Sequence, residues 1–256
     1  MKSLLYGFGL GIQFFTVIPF NKALPMNRQT MTAMYGLFPL IGLLIGTISF
    51  SVLFGLQQLE FSQLFIAIIY ILSCIVLTGG LHLDGWVDVS DAFFSYQDQE
   101  KRHAILEDPR TGAFGVISVI CLLLLKLAVV YEVLVRQQES LWFIVLIPMV
   151  ARMTVVYFFN TVKPMKEKGI AFYFKSNVSR NGLWGWLSFY IVTLSAIAIL
   201  CKLYIIFIYF ALILVICMLL KRFVNKHFGG MNGDILGALC EGMEVILWSC
   251  ILLLFI

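Results

Sequence analysis

The chain has 256 residues, of which 61% are hydrophobic and 12% are charged, and its net charge is +4. A soluble domain carries about 25% charged residues, so this composition excludes a soluble globular protein. The cations are scattered over several loops rather than clustered, so no nucleic-acid partner is expected. The apolar runs are continuous rather than alternating, which excludes a porin-like barrel and predicts an all-α, polytopic transmembrane helical bundle.

Apolar stretches follow one another along the whole chain. The first, residues 3–18, is just short of the about 17–25 residues that a comfortable crossing needs, which predicts a short interfacial or re-entrant helix. Each later stretch is near the about 20 residues that a bilayer core demands. No internal repeat divides the chain, so residues 1–256 are expected to form a single integral membrane domain. The seven predicted spans are 31–56, 62–80, 112–134, 141–161, 183–201, 203–221 and 234–256.

The connections between these spans alternate in positive charge. Those before the first, third, fifth and seventh spans carry 2, 3, 5 and 3 Lys or Arg residues, whereas the other connections and the C-terminus carry 0, 1, 1 and 0. Cytoplasmic loops of membrane proteins are enriched in Lys and Arg. The alternation predicts a multi-pass protein of the cytoplasmic (inner) membrane, with the charged loops in the cytoplasm and the C-terminus outside.

An acidic motif follows the second predicted span. Residues 79–91 read GGLHLDGWVDVSD, and in a helix Asp84, Asp88 and Asp91 stand at positions i, i+4 and i+7, on one face. Three carboxylates on one face repel each other unless a cation lies between them. Oxygen ligands together with substrate phosphates suit Mg²⁺, so the motif predicts a magnesium site. The alternative is a solvated acidic loop between two membrane helices.

A second acidic group lies on the last predicted span. Asp234 at its start is either a site residue or an acid that the helix N-terminus favours electrostatically. Glu241 and Glu244 follow about 10 and 15 Å further along the helix, well inside the membrane. An intramembrane acid usually faces a partner, a cavity or a site, and Arg152 and Lys126 are candidate partners. The last two acids are therefore either site residues or members of a buried ion pair.

Basic residues near these acids have two interpretations each. His82 is either a general base or a residue that orients Asp84. Arg102 and Arg110 either clamp phosphate oxygens or anchor a cytoplasmic loop. The loop 162–182, which is basic and aromatic, either follows from membrane topology or forms a lid over an anionic substrate.

Five segments resemble the cobalamin synthase family, the adenosylcobinamide-GDP ribazoletransferases. They match in order and spacing over most of the chain, and the acidic motif and the C-terminal motif are the most specific. Three departures are present: Asn232 stands where the family usually has Thr, Pro109 stands where Ser is common, and residues 166–171 differ from the family's Arg-x-x-Gly-Leu-Gly stretch. The matching segments are 13–19, 38–42, 79–88, 108–115 and 229–244.

The resemblance implies a membrane-bound, magnesium-dependent transferase of late cobalamin biosynthesis. Such an enzyme joins adenosylcobinamide-GDP to α-ribazole or α-ribazole 5′-phosphate, forms adenosylcobalamin or its 5′-phosphate, and releases GMP. Its partners would be these small molecules and membrane lipid. Whether the protein forms a homo-oligomer is left open by the sequence.

Residues and resemblance together predict three sets of site residues. Mg²⁺ is expected on carboxylates, a proton acceptor beside them, and substrate on glycines, arginines and other polar residues nearby. The predicted metal ligands are Asp84, Asp88, Asp91 and Asp234, the predicted catalytic residues are His82 and Asp91, and the predicted substrate contacts are Gly79, Gly80, Arg102, Arg110, Arg152, Asn232, Glu241 and Glu244.

Two other functions remain open from the sequence. A CDP-alcohol phosphotransferase also uses acids and glycines in membrane helices, but its Asp-Gly-x-x-Ala-Arg pattern is not continued after Asp84-Gly85, where the chain reads WVDV. A cation- or proton-coupled transporter would use Asp234, Glu241 and Glu244 as an ion path. Pathway acids should be spread through the membrane midplane, whereas most of these acids line one surface.

Overall fold

The computed structural model describes residues 2–95, 98–136 and 144–254, and these residues are almost entirely helical. The one β-type contact among them is an isolated bridge between Pro164 and Met231. The all-α prediction is confirmed. In chain order the helices are α1 (Lys2–Phe15), α2 (Arg28–Gly36), α3 (Phe38–Gln58), α4 (Gln63–Thr78), α5 (Leu81–Ser95), α6 (Gln99–Ile105), α7 (Ala113–Arg136), α8 (Leu146–Thr161), α9 (Ile170–Ser176), α10 (Arg180–Leu200), α11 (Ile205–Phe228) and α12 (Gly233–Leu254).

Five of these helices, α3, α7, α10, α11 and α12, are long and apolar enough to cross a membrane. A sixth crossing is obtained if α4 and α5 count together, although their axes are bent by 92°. Helix α8 is apolar but has only 16 residues. Every predicted span therefore contains an apolar helix, and the expectation of about seven spans agrees roughly with the structure. Residues 141–143 and 255–256 of the predicted spans lie outside the described residues.

The first predicted span, 31–56, is divided between two helices. Helix α2 ends at Gly36, and α3 begins at Phe38 with Pro39 in its first turn. Proline is tolerated there because the first N–H groups of a helix have no intrahelical partner. The predicted N-terminal helix over residues 3–18 is present as α1, and its interfacial or re-entrant position stays a prediction.

Helix α12 is the centre of the bundle. In its apolar window 72% of the residues are buried, against 6–39% in the other four long helices. It packs against α5, α7 and α8, which come from three separate parts of the chain. Asp234 at the start of α12 is thereby brought beside the acidic motif of α5, where its backbone meets Gly85.

Candidate functional site

The predicted acidic motif forms a helix that starts directly after a sharp bend. Gly79 and Gly80 both have left-handed backbone angles, with φ of 65° and 74°. Glycine adopts this conformation without the steric cost that a Cβ brings, so the pair lets α5 turn away from α4. Asp84, Asp88 and Asp91 then stand on one helix at the predicted spacing. The two glycines have a backbone role in this bend, and their contact with substrate stays a prediction.

The start of α12 lies directly against α5. The Asn232 side chain begins the helix, because its Oδ1 accepts a hydrogen bond from the N–H of Ile235 at 2.9 Å. Its Nδ2 donates to Asp234 Oδ2 at 2.6 Å. A Cβ added at Gly85 would lie 2.5 Å from the carbonyl oxygen of Asp234, so the two backbones are in contact. Only a residue without a side chain permits this approach.

Four carboxylates are thereby gathered into one group, called here the acidic face: Asp84, Asp88, Asp91 and Asp234. Asp88 is half-buried at its centre and is repelled by the other three. Over the described ranges, no Lys, Arg or His forms a salt bridge with any member of the acidic face. The structure therefore brings together the four residues that the sequence predicted as metal ligands.

Asp91 differs from the other three acids because it joins α5 to α7. It is 7% exposed, and its Oδ1 accepts a hydrogen bond from the N–H of Gly115 at 3.3 Å. A side chain at Gly112 would collide with the same carboxylate. A carboxylate at a helix N-terminus is stabilised by the unpaired N–H groups and the helix dipole. This contact fixes the angle of α5, so Asp91 is suited to positioning the acidic face.

The acidic face suits Mg²⁺ only if the substrate completes the site. Within the described ranges, no three His, Cys, Asp or Glu side chains are close enough together to hold a metal ion by themselves. Magnesium is usually bound through one or two carboxylates, with waters and substrate phosphates as further ligands. Asp84 is exposed and Asp88 is half-buried, so both can supply such hard oxygen ligands. The donor set fits the ion, and the metal role of these residues stays a prediction.

A cavity of about 510 Å³ opens beside the acidic face. This volume lies within the about 300–1,000 Å³ of ordinary small-molecule sites. Asp84 and Asp234 bring negative charge to its lining, and Lys166 and Lys168 bring positive charge. Six aromatic side chains contribute to its apolar surface, namely Phe14, Phe15, Tyr35, Phe38, Phe159 and Phe174. The cavity can therefore hold a molecule that has both an apolar body and charged groups.

His82 lines this cavity in the first turn of α5. It is 4% exposed, and its ring meets the Phe38 ring edge to face, with 6.1 Å between centroids. Its Nδ1 has no hydrogen-bond partner within the described residues. A buried polar atom normally has a partner, so an orphan at a cavity wall is available to a ligand. The predicted catalytic role of His82 is compatible with this position.

Arg102 is not among the residues that line the cavity. It is 3% exposed, and its guanidinium lies over the Phe93 ring at 4.9 Å from the centroid. Side chains of α6 satisfy the last carbonyl groups of α11, which would otherwise be without partners. The three contacts are Gln99 Nε2 to Lys226 O at 2.7 Å, Arg102 Nη1 to His227 O at 2.9 Å and His103 Nε2 to Phe228 O at 2.8 Å.

Arg110 is placed before α7 and is also outside the cavity lining. Its side chain is 87% exposed and its Nη2 lies 2.6 Å from Asp108 Oδ2. Hydrogen bonds from Arg110 lower the pKa of Asp108 to about 2. The guanidinium is neutralised by its neighbour in the sequence, and its predicted contact with phosphate stays a prediction.

Arg152, Glu241 and Glu244 form a buried ion network with Lys126. Lys126 Nζ donates to Glu241 Oε2 at 3.0 Å and to Glu244 Oε2 at 2.7 Å, and Arg152 Nη1 donates to Glu244 Oε1 at 3.2 Å. All four side chains are at most 7% exposed. Their two positive and two negative charges balance. The structure thus has the ion pairing that the sequence left open, and none of the four lines the cavity.

The lysine loop, residues 163–169, lies within the basic loop 162–182, for which the sequence left a lid open, but its lysines were not among the predicted site residues. Lys166 and Lys168 line the cavity, and Lys166 Nζ pairs with Glu107 Oε1 at 2.5 Å. Membrane topology explains a basic loop without any site, so its charge alone gave no signal. The structure puts the loop where the lid interpretation requires it, at the wall of a cavity.

Comparison with known proteins gives one consistent result. A family model described as cobalamin-5-phosphate synthase matches residues 7–252. An adenosylcobinamide-GDP ribazoletransferase from Geobacillus sp. (strain WCH70) is 37% identical over 99% of this chain and 98% of its own length. Proteins of the same name from Geobacillus thermodenitrificans (strain NG80-2) and Clostridium botulinum (strain 657 / Type Ba4) are 33% and 32% identical, each over 99% of this chain and over 98% and 100% of their own lengths.

No solved structure matches the chain. The family model spans nearly the whole sequence, and full-length relatives exceed 30% identity. Residues 79–88 and 229–244, two of the segments that resemble this family, contain Asp84, Asp88 and Asp234 of the acidic face. The chain therefore belongs to the cobalamin-5-phosphate synthase family.

Proposed function

We propose that the chain is a magnesium-dependent transferase that joins adenosylcobinamide-GDP to α-ribazole or α-ribazole 5′-phosphate and releases GMP, late in cobalamin biosynthesis. The product is adenosylcobalamin or its 5′-phosphate. Family membership and the names of the relatives support this reaction. The observation that carries it is the convergence of Asp84 and Asp234, from two distant helices, on one cavity.

The reaction is a substitution at phosphorus. A ribose hydroxyl of the acceptor attacks the phosphorus that is attached to cobinamide, and the bond from that phosphorus to the bridging oxygen breaks. GMP leaves with the bridging oxygen, and the hydroxyl proton passes to a base. Mg²⁺, when bound, would supply positive charge to neutralise the diphosphate and the charge that develops on the leaving group.

The four acids take different parts in this scheme. Asp84, Asp88 and Asp234 would hold the ion, with substrate and water completing its set of ligands. Asp91 positions α5 through its contact with the start of α7, at 3.3 Å from the N–H of Gly115. This division follows the exposure of the side chains, because Asp84 is exposed and Asp91 is buried.

His82 is the better of the two predicted proton acceptors. It lines the cavity, whereas Asp91 does not, and its Nδ1 has no partner within the described residues. A general base must be within hydrogen-bond reach of the proton that it removes. Among the two candidates, only His82 is at the cavity wall.

The two other candidate functions receive less support. An ion path through Glu241 and Glu244 conflicts with their pairing to Lys126 and Arg152, which satisfies both carboxylates. A CDP-alcohol phosphotransferase would require a different family, since the match over residues 7–252 is to cobalamin-5-phosphate synthase.

GMP release from purified protein in lipid nanodiscs tests the function directly. With Mg²⁺ and α-ribazole or its 5′-phosphate, adenosylcobinamide-GDP is expected to yield GMP and a cobalamin product, measured by liquid chromatography. A CDP-alcohol under the same conditions is expected to yield no CMP. Nucleotide release from the CDP-alcohol, with none from the corrinoid donor, would refute the proposal.

The location follows from the charge alternation of the loops. The protein is proposed to lie in the cytoplasmic membrane with its cavity facing the cytoplasm, because the lysine loop and the 81–111 connection each contain three Lys or Arg residues. A reporter that is active only outside the cytoplasm is expected to be active when it is fused after Ile256. A cytoplasmic signal from that fusion would reverse the orientation.

A further inference from the structure

One cavity contains both negative and positive polar groups. Asp84 and Asp234 come from the starts of α5 and α12, and Lys166 and Lys168 come from the lysine loop. A phosphate that carries its own metal ion is attracted to carboxylates. A phosphate monoester without a metal carries about −1.5 to −2 charges at pH 7, so carboxylates repel it and lysines attract it. The two groups therefore suit two different phosphates.

The lysine loop is fixed in position at both ends. The N–H of Met165 donates to Met231 O at 3.0 Å, and the N–H of Met231 donates to Lys163 O at 2.8 Å. After the loop, Lys175 Nζ donates to Phe159 O and, at 3.0 Å, to Val162 O, the carbonyl groups at the end of α8. Met231 is three residues before Asp234, so these contacts tie the loop to the acidic face.

Glu107 is the counter-ion of these lysines. Lys166 Nζ lies 2.5 Å from Glu107 Oε1, and Lys168 adds a second positive charge nearby. The hydrogen bond from Lys166 holds the pKa of Glu107 below its usual range, so this carboxylate is an anion near neutral pH. Exposed ion pairs contribute little to stability, and these two side chains are 36% and 66% exposed. A stronger anion can therefore replace Glu107 as the partner of the lysines.

We infer that Lys166 and Lys168 form a subsite for a phosphate monoester on the acceptor, and that the monoester displaces Glu107 from Lys166 when it binds. The inference rests on the proposed function and names the residues that hold the acceptor's phosphate when the acceptor is phosphorylated. The acceptor's phosphate is held by the lysine loop while its hydroxyl faces the donor diphosphate at the acidic face.

Paired acceptors test the subsite in the full-length protein. Lys166→Gln and Lys168→Gln are each expected to raise the KM for α-ribazole 5′-phosphate by roughly tenfold, the size of one charge-assisted hydrogen bond. The KM for unphosphorylated α-ribazole and for the donor should change by less than about twofold, because neither ligand would use the lysines. Glu107→Gln is expected to lower the KM for the phosphorylated acceptor, since it removes the competing anion.

Lys163→Gln is the matched control. It removes the same charge from the same loop, but Lys163 does not line the cavity, so no KM should change. Lys168→Arg keeps the charge and is expected to retain most of the affinity for the phosphorylated acceptor. Equal increases with both acceptors, or an increase in the donor KM alone, would overturn the subsite and assign the lysines to another ligand.

A binding measurement separates this inference from the function itself. Calorimetric titration of α-ribazole 5′-phosphate into the protein needs no turnover, and the lysine variants should bind it roughly tenfold more weakly than the unaltered chain. If the unaltered protein releases no GMP but the lysine variants bind the phosphorylated acceptor more weakly than it does, the proposed reaction fails and the subsite stands. Equal binding by the variants and the unaltered chain would refute the subsite whatever the activity.

Discussion

Replacing Asp84 or Asp88 by Asn is expected to lower GMP release by at least about a hundredfold, the usual cost of removing one electrostatic contact to a transition state. Each substitution keeps the shape of the side chain and removes one negative charge from the acidic face. Asp88 is surrounded by three other carboxylates, so this loss relieves repulsion instead of creating it. The protein should therefore remain inserted and folded while its capacity to hold Mg²⁺ falls.

The controls for this prediction come from two other acids. Glu60→Gln removes an exposed carboxylate from the turn between α3 and α4 and should leave GMP release unchanged. Asp91→Asn is expected to cost less than Asp84→Asn, because an amide oxygen still accepts the hydrogen bond from Gly115. Chelation of Mg²⁺ by EDTA should abolish release by the unaltered protein. Full turnover in both Asp84→Asn and Asp88→Asn would exclude a metal role for the acidic face.

The acidic face could be predicted from sequence because its geometry is mostly local. The spacing of Asp84, Asp88 and Asp91 defines one helix face wherever a helix forms, and the structure has that helix. The meeting of Asp234 with α5 is not local. This meeting was predicted because the Lys and Arg pattern puts the two loops on the same side of the membrane. The close contact at Gly85 was beyond this reasoning, since it depends on how the two helices pack.

Arg102 shows why the remaining site residues were harder to predict. An arginine in a cytoplasmic loop can bind a phosphate, anchor a helix or cap another helix, and its local sequence is the same in each case. The structure joins it to His227, 125 residues away. The sequence did contain a signal for helix capping. Positions 99, 102 and 103 share one face of α6, and Gly229 is a typical residue for a helix end; in the structure it ends α11 with a φ of 73°.

Lys166 and Lys168 could not be identified as site residues from the sequence, for a different reason. Positive charge in a cytoplasmic loop is expected from membrane topology alone, so it does not mark a site. What distinguishes these two lysines from Lys163 is the cavity that they line. Residues of eight helices build that cavity, namely α1, α2, α3, α5, α6, α8, α9 and α12. Such a set of tertiary neighbours cannot be obtained from one segment of the sequence.

The largest expected effect on stability comes from Lys126→Met. Lys126 is the only lysine in the buried network and contacts both Glu241 and Glu244, at 3.0 and 2.7 Å. Its removal leaves two buried carboxylates facing one cation, Arg152. Breaking a buried ion pair on one side costs about 3–5 kcal/mol, because an uncompensated charge is left in a medium that solvates it poorly. We expect this loss in the free energy of unfolding, measured by denaturant titration in detergent micelles.

Two matched variants decide whether charge balance is the cause. Arg136→Met removes a cation from the same helix, but its partner Glu132 is exposed, so the cost should stay within about 1 kcal/mol. The double variant Lys126→Met/Glu241→Gln restores neutrality with Arg152 and Glu244 alone, and should recover more than half of the lost stability. Packing would be the cause if the double variant is as unstable as Lys126→Met, because a lost packing contact is not restored by a second neutralisation. Recovery would show instead that the network holds α12 against α7 and α8, and hence Asp234 against α5, through its balanced charge.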